Sequence, residues 1–284
     1  MILAALCFAS SPTITRIAYL NGLKTGTIIF DRFLCGALFY LIIILITKKQ
    51  LRLTYAQFSV LSVLGILSAV SSICINTAYR YLTSGLASLL GISYFLPVVA
   101  VETLLKRERM TLNKMICLIA SVAGICIILI SPDDVNKISR FGVCIAIISS
   151  LLSASIVMSV SSKLLNTIDP LVIIFYLALP AAAINLILNL VQGIPLMPNG
   201  TEQWIPVIIV TVLNAFIGQV SFYVSIRLIG GGNGSLIDTV EVLFSAVLGI
   251  IVLNDNFTLP VIIGGTLILT SIILLGMDLK KMKP

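Results

Sequence analysis

Almost the whole chain consists of apolar runs about twenty residues long, cut by short breaks rich in charge, Gly, Pro or Asn. The breaks stand at Lys48-Lys49-Gln50, Lys106-Arg107-Glu108-Arg109, Pro132-Asp133-Asp134, residues 195–200, residues 230–234 and Asn254-Asp255-Asn256. A run of this length matches the hydrocarbon thickness of a bilayer, which an α-helix crosses in about 20 residues. Lipid offers no partner for a bare peptide group, so such runs must be helical or belong to a closed barrel. Barrel strands alternate polar and apolar residues, and these runs are apolar throughout. Ten spans are predicted, at 2–20, 26–47, 56–78, 84–105, 112–131, 141–162, 170–191, 204–226, 233–253 and 259–277. Composition agrees: 59% of the 284 residues are hydrophobic and 10% charged, against about 45–50% and about 25% in a soluble domain. The apolar excess is lipid-facing surface, and the predicted class is an all-α integral membrane protein.

Lys and Arg accumulate in cytoplasmic loops. With the N-terminus inside, twelve basic residues fall on the inner side, among them Lys48, Lys49, Arg52, Lys106, Arg107 and Arg109. Five fall outside (Arg16, Lys24, Arg80, Lys137, Arg140), and Arg32 lies within a span. Both termini are therefore expected in the cytoplasm, in the plasma membrane. No basic start or cleavage site marks residues 1–15 as a removable signal. Met1 begins almost inside the first span, which leaves open whether residues precede it. The net charge of +7 comes from loop clusters rather than a basic face, which argues against nucleic acid. The six cysteines sit in apolar runs with no Cys-x-x-Cys pair, and there is no histidine, so neither a metal site nor any cofactor is expected.

The sequence repeats internally. Arg80, Ser88 and Thr111 precede Arg227, Ser235 and Thr258 by 147 residues each, and the same shift sets Glu108 opposite Asp255. Asn21 to Phe30 matches Asn166 to Phe175 at a shift of 145. Two five-helix halves are expected: residues 1–131, an outer linker at 132–140, and 141–284 with a short basic cytoplasmic tail. Five is odd, so the second half enters the membrane in the opposite sense and the repeats are inverted, the arrangement that permits alternating access.

Residues 76–130 carry Ala78-Tyr79-Arg80-Tyr81, the small residues Ser84, Gly85, Ala87 and Ser88, then Pro97, Glu108, Thr111 and Gly124. With Arg32-Phe33 and Phe8-Ala9-Ser10-Ser11, this segment resembles the EamA-like family of the drug/metabolite transporter superfamily, and the resemblance extends over nearly the whole chain. The second half departs from it where Phe244 stands opposite Pro97 and Asn254-Asp255 opposite Arg107-Glu108. The resemblance implies transport of metabolites, amino acids or drugs, usually outward, coupled to a proton or an exchanged solute.

An ionised group at membrane depth costs roughly 2.5–3.5 kcal/mol on insertion scales, so it is normally paired or turned to a cavity. Glu241 and Asp238, three residues apart in the ninth span, are candidate proton or cation carriers, or else hydrogen-bonding and packing groups. Tyr94 is the repeat equivalent of Glu241. Arg32, beside Asp31, either binds an anionic group in a cavity or sits at the outer interface among loop charges. Glu102 is read as paired with Lys106. Asn76, Asn214, Gln219 and Tyr223 are polar groups able to bind cargo or to bond across helices. Tyr79, Tyr81 and Trp204 are read as interfacial rings, and the small residues of the fourth and ninth spans as close packing or a rocking seam.

No P-loop is present and no loop is long enough for a nucleotide domain, so a secondary transporter is the leading expectation. A channel or structural membrane subunit is the alternative. A lipid enzyme is less favoured, because the chain lacks histidine and any paired-carboxylate motif. The expected partners are the bilayer and a small-molecule substrate; cargo, direction, coupling ion and oligomeric state are not legible.

Overall fold

A computed structural model describes residues 1–94, 96–98, 112–130, 139–160, 162, 164–165, 167–229, 240–255 and 259–281. Expectations placed on Asp238, Glu102, Lys106, Glu108, Thr111, Asp133, Lys163, Asn166, Gly232 and Ser235 lie outside the described residues. Those described are all-helical, without strands. The helices are α1 (Ile2–Leu20), α2 (Thr25–Ile46), α3 (Tyr55–Ala78), α4 (Ser84–Ile92), α5 (Leu112–Ile130), α6 (Arg140–Val160) and α7 (Pro170–Val191). Then come α8 (Thr201–Val210), a π-helix (Thr211–Gln219), α9 (Val220–Ile229), α10 (Val240–Leu253) and α11 (Leu259–Lys281). Among the described residues, six helical stretches are long and apolar enough to cross a membrane, the sixth running from Thr201 through the π-helix to Leu228.

Local chemistry sets the boundaries. Thr54 and Gln57 form a capping box at the start of α3, the Thr54 side chain accepting from Gln57 N at 3.4 Å while Thr54 N donates to Gln57 Oε1 at 3.0 Å. Asp169 caps α7 by accepting from Leu171 N at 3.0 Å, and Pro170 takes the first helical position, where no N–H is needed. Large apolar side chains such as Leu38, Ile42, Leu45, Ile187 and Leu190 point outward, as expected where lipid is the solvent.

Inside the bundle α2 lies along α7, α4 along α10, and α5 along α11. The π-helix packs on α1, while α6 packs on α3; α10 also packs on α1, while α6 also packs on α4. Small residues permit the close crossings: a methyl on Gly65 of α3 would lie 2.9 Å from Leu177 O of α7. Two arginines hold corresponding turns. Arg80 donates to Leu23 O at 3.5 Å and Arg227 to Ile168 O at 3.3 Å. Arg80 also lies over the Tyr19 ring, 4.4 Å from its centroid.

Candidate functional site

Polar residues from α1, α2, α3, α6, the π-helix, α9 and α10, with Tyr94 just beyond α4, converge on a cavity of about 250 Å³ within the bundle. Arg32, Gly36 and Tyr40 follow one another at intervals of four along one face of α2 and all line it. Gly36 is the point of closest approach to the π-helix, where an added methyl would lie 3.3 Å from Ala215 Cβ. The buried Tyr40 hydroxyl donates to Ala215 O. This contact satisfies a carbonyl in a stretch whose ordinary helical ladder is interrupted.

The π-helix matters to the lining. In an α-helix residues five apart differ by about 140° around the axis, whereas i→i+5 bonding stacks them. Asn214 and Gln219 are five apart and both line the cavity. Asn214 is 5% exposed and its Nδ2 has no hydrogen-bond partner among the described residues. To the same lining α3 contributes Ser68, Ser71 and Ser72 and α6 contributes Ser149 and Ser153. Ser149 Oγ donates to Ser71 O at 2.9 Å, and Ser71 Oγ lies 3.0 Å from Ser153 Oγ. These hydroxyls seam α3 to α6 and leave a polar strip on the cavity.

Arg32 donates to Ser72 Oγ at 2.9 Å, and its guanidinium lies 5.1 Å from the centroid of the Phe33 ring. The two ion pairs among the described residues, Arg16–Asp255 and Lys49–Asp169, do not involve it. Glu241 also lines the cavity, as do Tyr94 and Tyr223. Six of the residues singled out in the sequence are therefore gathered in one place: Arg32, Tyr94, Asn214, Gln219, Tyr223 and Glu241.

Asn76 is not among them. It is buried, its Nδ2 donates to Ser72 O at 2.8 Å on its own helix, and its backbone oxygen accepts from Tyr19 Oη at 2.6 Å. Its amide is consumed in packing. Tyr79 corrects the opposite way: it was read as an interfacial ring, but it is 7% exposed and lines the cavity. The chain leaves α3 at Tyr79 and folds it inward, whereas Tyr81 stays exposed against Phe141. Asp31, expected near the interface with Arg32, is 5% exposed, its Oδ2 has no partner among the described residues, and it is not part of the cavity lining. The serine strip was missed, although Ser68, Ser71 and Ser72 share the i, i+3, i+4 spacing of one helix face.

A charged cluster ties three segments of the bundle together. Arg16 near the end of α1 contacts both carboxylate oxygens of Asp255 at 2.6 Å, and Asp255 Oδ2 accepts from Ser84 N at 2.9 Å at the start of α4. Asp255 thus caps α4 and joins it to α1 and to the turn after α10. Gly249 of α10 gives it room, since a methyl there would lie 2.7 Å from Asp255 Oδ2. Nearby, Ser88 Oγ donates to Ser245 Oγ at 2.8 Å and Ser245 Oγ to Ser84 O at 3.1 Å, so the small residues of α4 form a tight seam with α10.

Such a polar, partly charged cavity enclosed by lipid-facing helices has the anatomy of a membrane transport protein. No curated protein matches the sequence. A solved crystal structure of a protein, 15% identical in sequence, aligns with 98% of this chain and 96% of its own length at a TM-score of 0.68, and so shares the fold. The model of the EamA-like transporter family matches residues 1–130 and 140–277. The chain is a multi-pass membrane protein and belongs to the EamA-like transporter family.

Proposed function

We propose that this protein is a secondary transporter of small molecules that works by alternating access around the cavity holding Arg32, Asn214 and Glu241. The observation that carries the reading is that the cavity is lined by helices of both halves, α1 to α4 from the first and α6, α7, the π-helix, α9 and α10 from the second. A carrier must change which end of such a cavity is open by moving one set of helices against the other. The chain has ten spans in two inverted halves, residues 1–131 and 141–284, joined by an outer linker at 132–140. Support comes from the packing: α2/α7, α4/α10 and α5/α11 are self-corresponding pairs, and the contacts of α1 with the π-helix and α10 have counterparts in those of α6 with α3 and α4. The paired bonds Arg80–Leu23 and Arg227–Ile168 fall at positions the repeat sets opposite one another.

In this reading both termini are cytoplasmic in the plasma membrane, transport is outward, and the Arg16–Asp255–Ser84 cluster closes the outer end. Glu241, with Asp238 nearby in sequence, carries the coupling proton. Uptake and efflux of labelled amino acids and amphiphilic cations in proteoliposomes, with and without an imposed pH gradient, test the function; gradient-independent equilibration of every solute would refute it. Orientation has its own test. On a background lacking native cysteines, a cysteine at position 50 is expected to resist an impermeant reagent added to intact cells, and labelling there would invert the topology.

A further inference from the structure

We infer that the cargo carries a carboxylate on an apolar body, and that Arg32 and Asn214 bind this carboxylate; the inference rests on the transporter reading above. Two observations point to the same chemistry. Arg32 has five N–H donors; Ser72 Oγ takes one, and neither ion pair among the described residues supplies it with a counter-charge. A guanidinium held in a cavity at membrane depth is costly; Glu241 contributes a carboxyl group elsewhere in the same lining, and an anion bound against the guanidinium lowers that cost. Independently, Asn214 presents a buried Nδ2 with no acceptor among the described residues. An unmet donor of this kind also costs free energy, and an acceptor arriving with the ligand recovers it.

The two groups face one cavity because of how α2 meets the π-helix. Gly36 and Tyr40 hold that contact at Ala215, one and two turns along α2 from Arg32, while Asn214 is the neighbour of Ala215. Both unmet groups are donors, and a carboxylate, with two acceptor oxygens and a planar fork matching guanidinium, satisfies both at once. Phosphate would fit the donors, but the rest of the lining includes Phe8, Phe33, Ile75, Ile92 and Phe222. An apolar or aromatic body behind the carboxylate buries those surfaces.

The test uses four probes of one skeleton: phenylalanine, 3-phenylpropanoate, phenylalaninamide and phenethylamine. Binding to the purified full-length protein is measured directly, and exchange of the same probes is measured in proteoliposomes. The two carboxylates are expected to bind, and the amide and amine to bind at least about tenfold more weakly. Arg32→Gln is expected to weaken carboxylate binding by about 10- to 100-fold and to erase the preference, with Arg32→Lys restoring part of it. Asn214→Leu is expected to weaken carboxylate binding by about tenfold. Both glutamine and leucine variants should elute as the parent does. Amine or amide binding as tight as carboxylate, no carboxylate binding at all, or an unchanged preference in well-folded Arg32→Gln overturns the inference. Exchange of phenethylamine without carboxylate binding leaves the transporter reading standing while this inference fails. Carboxylate binding without exchange of any probe keeps the anion site and removes the transporter reading.

Discussion

Glu241→Gln is expected to fold, to bind cargo and to exchange it, and to lose all acceleration of net transport by a pH gradient. Glutamine preserves the shape and most of the hydrogen bonding of the carboxyl group but takes up no proton. The cavity's other ionisable groups are Arg32, Tyr40, Tyr79, Tyr94 and Tyr223, none of which exchanges protons readily near neutral pH in its unperturbed form. Glu241 is the one carboxylate in the lining among the described residues. The control is Asp31→Asn, since Asp31 is a buried carboxylate outside that lining, and it is expected to keep the gradient dependence. Net transport measured at imposed gradients in both variants decides. A Glu241→Gln protein that still responds to the gradient, or an Asp31→Asn protein that does not, removes the coupling role from Glu241.

Asp255→Asn is expected to open the outer end of the cavity. The wild-type carboxylate receives Arg16 on both oxygens and the Ser84 N–H on one; asparagine has a single acceptor oxygen and no charge. Hydrogen bonds to charged groups contribute about 1.5–3 kcal/mol each. The Arg16 side chain is 26% exposed, and solvent screening places the loss near the lower end of that range. A two-state equilibrium would then shift by about tenfold or more toward the outward-open form. The readout is the rate at which an externally added thiol reagent modifies a cysteine placed at Ser72 in a cysteine-free background. Gly249→Ala, which crowds the same carboxylate, is expected to act in the same direction. Unchanged modification rates in both would mean that the cluster ties the bundle together without gating it.

Two helix starts were legible because they are written in local chemistry. Thr54 with Gln57 and Asp169 with Pro170 start helices within a residue of the expected positions, and the end of α3 at Ala78 agrees with the predicted span. What escaped was whatever the apolar pattern does not encode. In a run that is apolar all round, a change from 3.6-residue to π geometry at Thr211–Gln219 leaves no periodic mark, so nothing in the sequence announced that Asn214 and Gln219 share a wall. Asn76 and Asn214 look alike in sequence, each a lone amide within a span. The difference is that Asn76 finds Ser72 O on its own helix while Asn214 Nδ2 finds no partner among the described residues. Tyr79 was misjudged because its place next to a turn suggested the interface; the direction in which the chain leaves α3 sends the ring inward instead. The Arg16–Asp255 pair joins residues 239 apart in sequence and could not be foreseen from charge placement.

Alternating access is tested most directly by counterflow. Proteoliposomes containing the purified protein are loaded with unlabelled 3-phenylpropanoate or another cargo found in the solute panel, diluted into a trace of the labelled compound, and sampled over time without any ion gradient. The expected result is a transient accumulation of label above its equilibrium level, lost when cargo is omitted from the lumen, because a single site visiting each side in turn exchanges bound molecules one for one. Label that only rises to equilibrium, at a rate indifferent to internal cargo, would contradict the account and identify a channel.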